Sequence, residues 1–161
     1  MRPEDLERVR AAVSAVTDPE IPVLTIADLG VLRDIKAGAD GVEVTITPTY
    51  SGCPAMTAIG LEIEAALAAL DVGPVRVRTS LSPAWTTDWL SEDGRRKLQA
   101  YGIAPPPPGS GRRALFDEPR IACPRCGSGD TEQISEFGST SCKSLHRCLT
   151  CREPFDAFKC H

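Results

Sequence analysis

Leu6, Val9, Val13 and Val16 recur at spacings of three and four, which predicts a helix over residues 4–16 with Pro3 tolerated near its start. Asp18-Pro19 then ends it. After a Pro-punctuated loop, residues 31–37 read as a strand, 38–41 as a hairpin turn, and Val42, Val44 and Ile46 alternate with Glu43, Thr45 and Thr47 as a second strand with one wet face. Met56, Ile59, Ile63, Leu67 and Leu70 mark a helix over 55–70. Val75, Val77, Thr79 and Leu81 alternate with Arg76, Arg78 and Ser80, predicting a third strand. A helical tail with Trp85, Trp89, Leu90 and Leu98 follows, the two tryptophans four apart on one face. The order α-β-β-α-β-α predicts an α+β fold, a small two-layer α/β sandwich whose helices cover one face of three strands.

Pro105 to Pro108, followed by Gly109-Ser110-Gly111, cannot continue a helix and read as a linker. The expected division is therefore an α/β domain over 1–103, a linker over 104–119, and a second unit over 120–161.

Composition narrows the function. With 161 residues the chain has room for one domain of about 100 residues and an appendage, which excludes most large catalytic architectures. Eighteen Lys and Arg against 22 Asp and Glu give a net charge of −4, which argues against nucleic acid or an anionic membrane as partner. Residues 1–104 hold 10 basic and 15 acidic side chains and the remainder 8 and 7, so the acidity belongs to the first part. No stretch has the length of a membrane span and the first residues lack a secretion-signal pattern, so the expected location is the reducing cytoplasm. There, clustered thiols are metal ligands or reactive groups more often than disulfides.

Seven cysteines are present, Cys53 alone in the first part and six in the last 39 residues. Cys123-Pro124-Arg125-Cys126-Gly127 and Cys148-Leu149-Thr150-Cys151 are two C-x2-C knuckles with 21 residues between them. Each knuckle holds two sulfurs on one turn, and a hairpin between them brings four thiolates to one tetrahedral site. The segment has too few apolar groups for a core of its own, so it reads as a β-rich zinc ribbon that needs its metal to fold. Structural zinc is the first choice and iron the alternative. Cys142, Cys160 and His161 remain as further potential ligands.

Cys53 lies where the second strand feeds a helix, and unpaired amides and the helix dipole there favour a thiolate. A buried, inert cysteine is the alternative. No phosphate loop, dinucleotide fingerprint or nucleophile–base pair occurs, so no catalytic residues are assigned.

Asp18-Pro19-Glu20-Ile21-Pro22, Ile26-Ala27-Asp28-Leu29-Gly30-Val31-Leu32 and Thr49-x-x-Gly52-Cys53-Pro54 resemble the Fe–S cluster assembly (FSCA) domain family over roughly residues 4–81. The resemblance implies that Cys53 handles an iron–sulfur cluster or its iron, with Asp18, Glu20 and Thr49 supporting it. Asp18 and Glu20 also fit ordinary turn chemistry. The tracts 81–89, 94–98, 123–128, 137–143 and 154–160 are together similar to the D-component family of bacterial phenylacetyl-CoA epoxidase systems. That resemblance implies an accessory role in the phenylacetyl-CoA system: assembly or repair of the metal centres of its oxygenase and reductase components. Cys142 and Cys160 are candidates to join Cys53 in a transient cluster site. A bridging subunit without iron–sulfur chemistry is the alternative, and a homodimer stays open.

Overall fold

The computed structural model describes residues 3–38, 40–107, 109 and 120–159. The chain forms two compact units, residues 1–85 and 86–161.

In the first unit the helical repeat produces α1 (Pro3–Ser14), which buries Val9 and Val13 completely. The alternating stretches become β1 (Leu32–Gly38) and β2 (Gly41–Ile46), an antiparallel pair, and β3 (Val75–Thr79), parallel to β2. Between β2 and β3 runs α2 (Ala55–Ala68), which buries Ala55, Ile59, Ile63 and Leu67 at successive spacings of four. Met56 and Leu70, expected on the same stripe, are only half-buried. The sheet order is β1-β2-β3, so the strand with the cleanest alternation is central. Its buried residues Val42, Val44 and Ile46 pack under the helices, while Glu43 and Thr45 point the other way between exposed Lys36 and Asp34 on β1 and Arg76 and Arg78 on β3.

The hairpin depends on Gly41. Its φ is +115°, and a Cβ placed there would lie 2.0 Å from the Pro74 carbonyl oxygen, which accepts the Val42 amide at 2.9 Å. The loop from 15 to 31 is folded down rather than loose: Ile21, Leu24, Ile26 and Leu29 are all at most 1% exposed. Trp85 is likewise buried and its indole N–H donates to the Leu29 carbonyl at 2.8 Å.

The second unit begins earlier than the sequence suggested. A short 3-10 helix (Thr87–Trp89) precedes α3 (Glu92–Tyr101), which is capped at its start by Ser91 and at its end by Gly102 with φ +88°. The strand β4 (Ile103–Ala104) follows at once and pairs in parallel with β7 (Pro154–Phe158). With β5 (Thr131–Ser135) and β6 (Lys143–Cys148) they form one sheet of order β4-β7-β6-β5. Residues 86–103, read from sequence as the tail of the first domain, and Ala104, read as the first linker residue, therefore group with the C-terminal unit. The reason is that Ala104 belongs to its core, together with Cys123, Cys148, Phe155 and Ala157. The two tryptophans do not share a helix: Trp85 closes the first unit and Trp89 ends the 3-10 turn of the second.

Arg95 on α3 is 9% exposed, and its guanidinium donates to the backbone carbonyls of Thr87 and Pro106. It thereby ties the start of the proline run to α3. Most of the expected linker, residues 108 and 110–119, lies outside the described residues, as do Cys160 and His161.

Candidate functional site

Two sites emerge, one in each unit. In the second, Cys123 and Cys148 are fully buried, Cys126 and Cys151 exposed, and the four sulfurs lie within 4.8 Å of one another. Cys123 Sγ is 3.8 Å from Cys151 Sγ, and Cys126 Sγ is 3.6 Å from Cys148 Sγ. A tetrahedral ion with metal–sulfur bonds of about 2.3 Å needs sulfurs about 3.8 Å apart, so the donor set fits a divalent ion of the zinc or ferrous kind.

The backbone explains the convergence. In the first knuckle the Gly127 amide donates to the Cys123 carbonyl and the Cys123 amide to the Ser128 carbonyl, both at 2.9 Å. In the second, the Cys148 amide bonds the Glu153 carbonyl at 3.0 Å, and the Cys151 amide points at Cys148 Sγ from 3.4 Å. The residue after each second cysteine is left-handed, Gly127 at φ +75° and Arg152 at φ +65°. A Ser128–Thr150 hydroxyl contact of 2.8 Å and the Leu149 amide on the Asp130 carbonyl join the two turns.

That amide donation shows in the thiol chemistry. The Cys151 N–H pulls Cys148 down to about 6, helped by hydrogen bonds from the neighbouring thiols and opposed by burial. Cys151 goes the other way, to about 12: the Glu153 amide favours its thiolate, but desolvation and the sulfurs of Cys148, Cys126 and Cys123 outweigh it. The cluster thus gives up a first proton readily and resists collecting further negative charge without a cation between the sulfurs.

Cys142 is not part of this cluster. It is 4% exposed, and its Sγ lies 3.0 Å from the Thr140 hydroxyl. Lys143, whose charge could have favoured a Cys142 thiolate, is itself buried and pairs with Asp156 at 3.9 Å.

In the first unit Cys53 stands half-buried ahead of Pro54, the residue that opens α2, after Gly52 with φ +85°. Of the two readings of this position, a thiolate and a buried inert thiol, its surroundings favour the protonated form. Burial pushes the Cys53 thiol above its ordinary value, and the carboxylates of Glu20 and Asp18 push the same way. The Ala55 amide and the Tyr50 side chain, both hydrogen-bonded to the sulfur, push back without prevailing. The helix start acts as anticipated through the Ala55 amide, but desolvation and two anions outweigh it.

The structure therefore brings Asp18 and Glu20 within electrostatic reach of Cys53. Asp18 has structural work as well, since Oδ1 accepts the Glu20 and Ile21 amides, each at 2.8 Å, while its own amide bonds the Leu24 carbonyl at 2.9 Å. Thr49 is half-buried in the bend before Tyr50. Tyr50 was missed by the sequence reading, though its place three residues ahead of Cys53 in a turn, with the Cys53 amide on its carbonyl at 3.3 Å, was a usable signal.

A three-stranded α/β unit with a cysteine at a helix start, followed by a four-cysteine β-ribbon, defines a small α/β domain and a metal-ribbon-type module in one chain. Comparison with known proteins agrees. Residues 6–77 match the family model described as iron-sulfur cluster assembly protein, and residues 107–159 match the PaaD zinc beta ribbon domain. The chain belongs to the PaaD family, the D components of phenylacetyl-CoA epoxidase. An Escherichia coli (strain K12) protein, provisionally named as the D component of 1,2-phenylacetyl-CoA epoxidase, is 49% identical over 158 residues, 98% of this chain and 94% of the relative. Among solved structures, the domain of unknown function DUF59 from Bacillus anthracis superposes with a TM-score of 0.54 at 26% identity, covering 59% of this chain and 92% of that one. No helix of the described residues is long and apolar enough to cross a membrane.

Proposed function

We propose that this chain is a non-catalytic accessory protein of a phenylacetyl-CoA epoxidase system, acting in the cytoplasm to assemble or maintain the iron–sulfur or other metal centre of the oxygenase or its reductase. The observation that carries the reading is the union, in one chain 49% identical to a PaaD relative, of an iron–sulfur assembly domain with a separate four-sulfur metal site.

In this reading the ribbon holds zinc through Cys123, Cys126, Cys148 and Cys151, and bound zinc supplies the cross-link that keeps the two knuckles folded. Cys53 is the thiol that meets iron or cluster as cargo. Burial, reinforced by Glu20 and Asp18, keeps it protonated until a cation arrives; an approaching iron ion replaces the proton and is attracted by the same carboxylates. Tyr50 and the Ala55 amide orient the sulfur.

The test is anaerobic reconstitution of the zinc-loaded chain with iron and sulfide, followed by maturation of the apo-reductase, for wild type and Cys53→Ser. Wild type is expected to raise the client's cluster content and Cys53→Ser to lose most of that effect with unchanged zinc. Equal maturation by both abandons the Cys53 role. The alternative, a bridging subunit, is favoured by the elevated Cys53 thiol, which suits an inert cysteine. It predicts stable co-purification with the oxygenase and indifference to Cys53→Ser.

A further inference from the structure

The ribbon sheet carries a second polar feature that the knuckles do not use. Ser144 and His146 stand two apart on β6, so both face the same side of the sheet, and they are only 6% and 5% exposed. His146 Nε2 lies 2.8 Å from Ser144 Oγ, and its ring stacks on Phe155 with centroids 5.6 Å apart. Both line a cavity of about 570 Å³. Small-molecule sites occupy roughly 300–1,000 Å³.

The pair has a weakly held proton. A neutral imidazole and a hydroxyl carry two polar hydrogens, and their mutual bond uses one. If Nε2–H donates, the Ser144 proton is left, and its other neighbour, the Ala157 carbonyl, stands at 3.5 Å, the outer limit for a bond. If the hydroxyl donates, the Nδ1 proton is left. In the first arrangement the Ser144 hydroxyl is held only by that long bond, so a stronger acceptor entering the cavity can take its proton.

The rim has charge. Arg120 and Lys159 stand there against one carboxylate, Glu136, among the described lining residues, in a chain whose net charge is −4. Ile121 and Phe158 add apolar wall. We propose that this cavity binds the oxyanion end, carboxylate or phosphate, of a small organic molecule, with the Ser144–His146 pair donating from the floor and Arg120 and Lys159 supplying charge at the rim. His146 is not one of the four sulfur ligands, although its Phe155 stacking partner shares the core of Cys123 and Cys148, and the site does not rest on the proposed function.

Titration of the zinc-loaded full chain with sodium acetate and, separately, sodium phosphate, at ionic strength held constant with chloride, tests it through amide NMR shifts. Saturable shifts confined to Arg120, residues 131–133 and residues 144–146 are expected, and the salt that saturates at lower concentration identifies carboxylate or phosphate. The surface variant Arg120→Ala/Lys159→Ala should weaken binding about tenfold or more. Ser144→Ala should weaken it as well; should that buried change disturb the sheet, the surface variant alone decides. Shifts that stay linear with both salts, or saturable shifts untouched by Arg120→Ala/Lys159→Ala, overturn the proposal.

Discussion

Cys53 and Gly41 show how far a single residue can be read. Because burial, Glu20 and Asp18 raise the Cys53 thiol above 9.0, less thiolate is present at any pH up to that range than for an unperturbed cysteine. Alkylation of Cys53 in the zinc-loaded protein, followed by mass spectrometry of its peptide, should therefore be slower at pH 8 than for a free cysteine and keep rising past pH 9.0. Glu20→Gln removes one of the opposing anions and should speed the reaction at fixed pH by roughly two- to fivefold. Tyr50→Phe removes a bond that favours the thiolate and should slow it. The sequence placed Cys53 at its helix start, but it could not show the enclosing side chains, and desolvation depends on those. Gly41→Ala combines the +115° backbone with the Pro74 clash and should cost about 2–4 kcal/mol, read as a lower urea midpoint of the first unit.

At the scale of elements, regular periodicity was the dependable guide. The strict alternation at 42–47 and the fourfold spacing through Ile59, Ile63 and Leu67 gave β2 and α2 nearly to the residue. The stretch 85–91 misled, because its two tryptophans suggest a helical face while Thr86 and Ser91 each cap a new helix start and break the run. The knuckles were legible from spacing alone, yet not their inequality: the left-handed turn falls on glycine in the first and on arginine in the second. Arg152→Gly should relieve that strain and stabilise the ribbon by about 0.5–1 kcal/mol, measurable as a higher melting temperature of the zinc-loaded protein. Stripping the metal with a chelator, or Cys148→Ser, should abolish amide-exchange protection in β5, β6 and β7 while leaving β1, β2 and β3 protected.

For the molecule as a whole, the two-unit plan was visible in the segregation of cysteines, but the seam was not. Composition placed it at the prolines, whereas β4, ahead of most of them, pairs with β7, and the compact units divide between Trp85 and Thr86. A two-residue strand such as β4 has no periodicity to read, and only its partner β7, some fifty positions later, defines it. The buried Arg95 adds to this hold, and Arg95→Ala, which takes the guanidinium donor from the Pro106 carbonyl and leaves the Thr87 carbonyl with the Leu90 amide alone, should cost about 1–3 kcal/mol in the second unit only. The chain between β4 and the first knuckle thus leaves and re-enters one core, that of Ala104 and Cys123. A protease that nicks it between 107 and 120 should release no fragment: the two pieces should co-elute as one particle until denaturant separates β4 from β7.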